Sequence, residues 1–204
     1  MTRHRPEGDA GAMVKRGMVV IAPYNPSWGV EFGIFGKALR SALGGVALGI
    51  HHIGSTSVPG MAAKDVIDIQ LTVKDLNAEI RTLLERLGYH FREDIDRDHC
   101  PPGMELPPEE LQKRYYQLQE RRCHLHVRAA GRFNQRYALL FRDYLRATPT
   151  AANAYAEVKR QLARYFSENI EAYYDIKDPV TDAIIAGALH WSETVSWTEP
   201  PNDA

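Results

Sequence analysis

The sequence predicts an α+β fold, with a strand-bearing first half followed by an all-helical second half. Three features carry this prediction: short runs alternating with period two before Gly131, helical periodicity after it, and Gly/Pro breaks between the segments. The length of 204 residues, with 44% hydrophobic content and 25 basic against 26 acidic residues, suits one soluble domain with a substantial core. It excludes disordered, collagenous and disulfide-scaffold chains.

Residues 1–17 read as a polar tail with neither a signal peptide nor a membrane anchor. The domain is expected over 18–196, divided into an α+β part over about 18–131 and a helical part over about 132–196, with 197–204 as a second tail. Met18–Ile21 reads as a strand. Asn25 then caps a helix whose first turn holds Pro26, and Trp28, Phe32, Phe35, Leu39 and Leu43 form its core stripe.

Strands follow at Val46–Ile53 and Val66–Val73, joined by the loop Gly54–Gly60. In the second strand Ile67, Ile69, Leu71 and Val73 share one face, and Asp68, Gln70 and Thr72 share the other. An amphipathic helix over about Leu76–Leu87 ends at Gly88, and Tyr89–Glu93 forms another strand. Asp94–Pro108 is a loop. Glu109–Glu120 is ambiguous, and a hairpin of Arg114–Leu118 with Cys123–Val127 is favoured. Helices close the chain at Asn134–Ala147, Pro149–Asn169 and Pro179–Val195, with Thr148 and Asp178 as caps before prolines.

The chemistry concentrates in His51-His52-Ile53-Gly54-Ser55-Thr56-Ser57 and the strand bearing Asp68 and Gln70. A Gly-Ser turn frees backbone N–H groups and hydroxyls (Ser55, Thr56, Ser57) for phosphate oxygens. A carboxylate on the next strand can hold the Mg²⁺ that accompanies a triphosphate. Lys64 can neutralise a phosphate. On the strand at Cys123-His124-Leu125-His126, alternation puts both imidazoles on one face, where they can serve as acid, base or ligand. Cys123 points the other way, which argues against zinc. His51 and His52 straddle their strand, so at most one joins the site. Arg142 with Arg146, and Tyr155 with Lys159, lie four apart on helices and can face an anion together. Tyr173 and Lys177 repeat the second spacing.

The strings VVIAPYNPSW, HHIGSTSVPGMAAKDVIDIQLTV and CHLHVRAAGRFNQRYALLFRDYLRA resemble the GrpB family of the polymerase-β-like nucleotidyltransferase superfamily. The wording AAKDVIDIQ and HLHVR is most similar to the version fused behind the kinase in actinobacterial dephospho-CoA kinases. The resemblance spans about 18–191 and implies a nucleotidyltransferase-like mixed sheet with flanking helices and a C-terminal helical part. It implies phosphate binding at Gly54 and Ser55 and a metal at Asp68, with Gln70 at the second metal position; with the residues read from spacing, the candidate site comprises Gly54, Ser55, Thr56, Ser57, Lys64, Arg142 and Lys159 for phosphate, Asp68 and Gln70 for a metal, and Asp68 with His124 or His126 for catalysis. Active superfamily members carry a second carboxylate where this chain has Gln70, which supplies an oxygen but no charge. The chain has no Gly-x-x-x-x-Gly-Lys-Ser/Thr loop and so no kinase signature.

Two readings follow: a nucleotidyltransferase, and a binding module that keeps an anion groove and assists a separate coenzyme A kinase. Both expect a nucleotide or phosphate-bearing small molecule as ligand and, for the module, a protein partner. Neither expects nucleic acid or membrane, given a net charge of -1 and no long apolar run, and two cysteines without a framework suggest the cytoplasm.

Overall fold

A computed structural model describes residues 18–76, 79–118 and 120–204. The expectation for residues 1–17 lies outside them. Helix α1 (Ser27–Leu43) leads into strand β1 (Gly49–Ile53), then β2 (Ile67–Val73), helix α2 (Glu79–Arg86) and the short strand β3 (His90–Phe91). The hairpin β4 (Arg114–Leu118) and β5 (Cys123–Ala129) follows, and helices α3 (Phe133–Ala147), α4 (Pro149–Tyr165) and α5 (Ile170–Thr194) complete the chain. No helix among the described residues is long and apolar enough to cross a membrane.

The five strands form one mixed sheet in the order β1-β2-β5-β4-β3. The β2–β5 pair is parallel and the others are antiparallel. The predicted α+β class therefore holds, with its mixed sheet and helical C-terminal part. Alternation determines the layers. Ile67, Ile69 and Leu71 of β2, with Leu125 and Val127 of β5, pack against Trp28, Phe32 and Leu39 of α1 and Leu84 of α2. Burial of apolar area, at about 25 cal/mol per Å², makes this shared face a stabilising contact of the first half. The other face of β2 and β5 carries the polar residues. A second core, including Val58, Met61, Leu140, Leu145, Tyr155 and Ile185, joins α3, α4 and α5 to the loop after β1.

Several expectations are corrected. Met18–Ile21 forms no strand; one antiparallel bridge, Ala22 to Ala63, replaces it, while Val19 N–H donates to Ser167 O and Val19 packs on Leu162 and Tyr173. Asn25 accepts from Ser27 N–H at 3.0 Å, so the helix begins one residue after Pro26. Helix α4 stops at Tyr165, and α5 begins at Ile170 with Asn169 as cap, accepting from Ala172 N–H at 3.0 Å. Pro179 is inside α5, so Asp178 is no cap. The proline removes one helix hydrogen bond, while Tyr173, fully buried in the first turn, anchors the N-terminal part of α5 against Val19 and Leu162.

The segment 197–204, expected as a tail, lies against the free edge of β1. Asp203 N–H donates to Ile50 O, Ile50 N–H donates to Asn202 Oδ1 at 3.0 Å, and His52 N–H donates to Asp203 Oδ2 at 2.9 Å. The backbone groups that an edge strand leaves open are thus satisfied, partly by side chains.

Candidate functional site

A cavity of about 580 Å³ opens between the polar face of β2 and β5, the loop after β1, and helices α3 to α5. Its sheet end is built by register. Asp68 pairs with His124 across the parallel ladder, and His126 is two residues further along the same face. Asp68 Oδ1 lies 3.3 Å from His124 Nδ1 and 3.8 Å from His126 Nε2. Burial pushes the Asp68 carboxyl up, but the imidazole groups facing it outweigh that and hold it below the usual carboxylate range.

His126 is pushed down to about 4, chiefly by burial and also by the charges of Arg128 and Lys113, so it is neutral near pH 7. Arg128 NH2 stands 3.4 Å from His126 Nδ1. A guanidinium only donates, so Nδ1 accepts and the ring proton sits on Nε2, towards Asp68.

Gly54 explains the Gly-Ser turn. Its φ is +68°, and a Cβ there would stand 2.5 Å from Asp68 Oδ2. The turn tightens through Ser57 Oγ, which donates to Gly54 O at 2.6 Å. Thr56 Oγ1 donates to Val66 O at 3.0 Å and lies 3.1 Å from His52 Nε2. Gly54, Ser55 and Thr56 line the cavity, with Ser55 half-buried, whereas the Ser57 side chain faces into its own turn.

The helical end holds Lys64, Lys159 and Lys177 among Tyr155, Tyr173 and Tyr174, and Phe133, Tyr137 and Phe141 add an apolar wall. Lys159 is 3% exposed and donates to Ala62 O at 2.7 Å. Burial first, then the charges of Lys177, Arg160 and Lys64, push its ammonium down to about 7.

Besides Ser57, two predicted site residues are placed elsewhere. Arg142 is buried off the cavity, donating to Asp203 Oδ2 at 2.7 Å, Asp143 Oδ1 at 2.8 Å and His52 O at 3.0 Å. Its neighbour Arg146 grips Ser57 O with two donors at 3.0 and 2.9 Å. Arg146 thus fixes the loop after β1, and Arg142 ties β1 to the C-terminal segment, instead of facing a ligand anion. Gln70 is also off the cavity. Its Oε1 accepts from Arg128 NH1 at 2.7 Å, and its Nε2 donates to Gln135 O at 3.1 Å.

The expected Mg²⁺ therefore meets an unsuitable donor set. Among the described residues Asp68 is the carboxylate within 4 Å of the two imidazoles, the Gln70 oxygen is engaged, and nearby Asp98 accepts from Arg128 at 2.7 and 3.0 Å and from Lys113 at 2.7 Å. No group of three His, Cys, Asp and Glu side chains among the described residues is arranged to hold a metal. A Mg²⁺ pair needs several uncommitted oxygens, so these residues do not fit one.

Sequence reasoning missed Asp98, Lys113, Arg128 and Tyr115. Extending the alternation from His124 and His126 by one step reaches Arg128. Asp98 comes from an irregular loop and carries no periodic signal.

The mixed sheet, with its Gly-Ser turn, ladder-paired acid and trailing helices, defines a class of α+β domain with a cavity between sheet and helices that has charged ends and an apolar wall. The chain belongs to the GrpB protein family, whose profile it matches over residues 18–186. It is 34% identical over 172 residues to UPF0157 protein BH1888 of Halalkalibacterium halodurans, covering 83% of this chain and 82% of that protein. It is 33% identical over 200 residues to a dephospho-CoA kinase of Mycolicibacterium paratuberculosis, covering 90% of this chain but 49% of that protein, so it spans about half the relative's length. The crystal structure of conserved protein GrpB from Enterococcus faecalis superposes with a TM-score of 0.69 at 30% identity, covering 84% of this chain and 98% of that one.

Proposed function

We propose that the cavity binds a nucleotide or other phosphate-bearing small molecule and supports acid–base chemistry at Asp68 and His124 without a Mg²⁺ pair. The observation that carries this reading is that one cavity joins an ionised carboxylate flanked by two imidazoles to a set of lysines. Its size falls within the roughly 300–1,000 Å³ of ordinary small-molecule sites. Gly54 and Ser55 present the turn to the ligand, and Lys64 and Lys159 offset phosphate charge. Asp68, ionised at neutral pH, orients the His124 ring, and a ligand hydroxyl placed against that ring can give up its proton.

The test is calorimetry of the chain against the four nucleoside triphosphates and coenzyme A precursors, with and without Mg²⁺. Expected is binding whose strength Mg²⁺ leaves within a few-fold. Tightening by orders of magnitude on adding Mg²⁺ would restore the two-metal nucleotidyltransferase reading, and absence of binding would remove the ligand.

A second reading is favoured by one comparison: a relative named dephospho-CoA kinase is about twice the length of the matched domain. On that reading the chain assists a separate kinase as a bound module. A raised melting temperature of the kinase on mixing supports it, and unchanged melting rejects it.

A further inference from the structure

We propose that Lys64, Lys159 and Lys177 form a receptor for a terminal phosphate, the dianion of a phosphate monoester, at the helical end of the cavity. The inference rests on the reading that a phosphate-bearing molecule occupies that cavity.

Three elements deliver the ammonium groups: the loop after β1, helix α4 and helix α5. Lys64 Nζ donates to Tyr174 Oη at 2.6 Å and lies 4.6 Å from the ring centre of Tyr174. Lys177 Nζ approaches the same ring at 5.3 Å, and Lys159 Nζ lies 4.8 Å from the Tyr155 ring. Tyrosine faces stabilise cations but cancel no charge.

Charge accounting identifies what is lacking. Lys177 pairs with Asp178, but neither Lys64 nor Lys159 forms an ion pair with a carboxylate among the described residues. The buried Lys159 ammonium without a counter-ion is costly, and the like charges of Lys64 and Lys177 lining the same cavity add to that cost. Such an arrangement is short of an anion. Three point-charge donors around one space suit a phosphate group with several oxygens and two charges better than a planar, singly charged carboxylate.

The charged groups facing Lys159 are Lys64 from the loop, Lys177 from α5, Asp68 from β2 and Arg160 on its own helix, with the Tyr155 ring beside it. All but Asp68 disfavour its charged form, which titrates at about 7. A bound dianion reverses this balance. Binding at about pH 8, where a phosphate monoester is already doubly ionised, must therefore draw a proton onto Lys159.

The experiment is titration calorimetry of the full chain with adenosine 5′-monophosphate, with inorganic phosphate as the minimal probe and adenosine as the phosphate-free control, in buffers of different ionisation enthalpy. Expected are binding of both phosphates, uptake approaching one proton at about pH 8 that fades towards pH 6, and loss of uptake in Lys159→Met. Lys64→Met, at a partly exposed position, should weaken both phosphates by about tenfold or more while the variant's melting temperature reports that it still folds. Nucleotide binding with no proton uptake and no response to Lys64→Met overturns the receptor but leaves the cavity reading in place. Failure of inorganic phosphate and every nucleotide to bind overturns both.

Discussion

Gly54 and Asp68 are mutually exclusive with any larger residue at position 54: the missing Cβ would lie 2.5 Å from Asp68 Oδ2, and the backbone φ of +68° is itself unfavourable for an L side chain. Gly54→Ala should destabilise the fold by about 1–3 kcal/mol and displace the carboxylate. Adding Asp68→Gly removes the clash but not the backbone strain, so a double-mutant cycle should recover part of the loss. Fully additive melting data would mean that the two residues do not touch.

Gln70 serves the sheet's polar face and not a metal. Gln70→Ala leaves the buried Arg128 guanidinium and Gln135 O each short of a partner, at a cost of about 1–3 kcal/mol in denaturant melts. Gln70→Glu puts a carboxylate beside Arg128 and should pair with it. Its melting temperature should therefore not respond to millimolar Mg²⁺, whereas a metal-dependent rise would show that the position can serve as a ligand after all.

Acid should weaken the fold well before most carboxylates titrate. His52, buried and stacked at 4.9 Å on Phe32, and His126 are both pushed down to about 4, mainly by burial. In the unfolded chain each titrates near 6.5, so that state binds more protons between the two values. The sign follows: stability is complete above about pH 6.5 and falls progressively as the pH drops towards 4, by up to about 3 kcal/mol per histidine. Melting curves across this window check it, and His126→Gln should flatten the slope.

Asp203 ties the C-terminal segment to the core. Its Oδ2 accepts from Arg142 NH1 at 2.7 Å and from His52 N–H at 2.9 Å, and Arg142 is 1% exposed. Asp203→Ala should cost about 2–4 kcal/mol by leaving a buried guanidinium with one carboxylate fewer. Removing residues 199–204 should in addition open the β1 edge to strand pairing, visible as concentration-dependent association in light scattering.

The layered core was legible because periodicity reports it directly: the alternation in β2 and β5 and the Trp28–Leu43 stripe each predict which side chains meet. The same alternation placed Asp68 with His124 and His126. It could not tell which polar residues on that face meet the cavity and which are taken up by the protein. Gln70 and Arg142 were misread for that reason, since their partners, Arg128, Gln135 and Asp203, come from distant segments. Pro179 misled because a proline at a helix start and one tolerated within a helix have the same local sequence. The segment at 197–204 carries no periodicity, because side chains such as Asn202 and Asp203 make many of its contacts.

Glu199 and His126 are 73 positions apart in the chain. Yet Glu199 accepts from Gln135 Nε2, Gln135 O accepts from Gln70, Gln70 Oε1 accepts from Arg128, and Arg128 reaches His126 Nδ1. Four hydrogen bonds therefore step from the exposed Glu199 to the imidazole beside Asp68, passing at Gln135 from its side-chain amide to its backbone carbonyl. The 199–204 segment does not line the cavity, yet through these contacts it is joined to the side chains that seat Arg128 against His126.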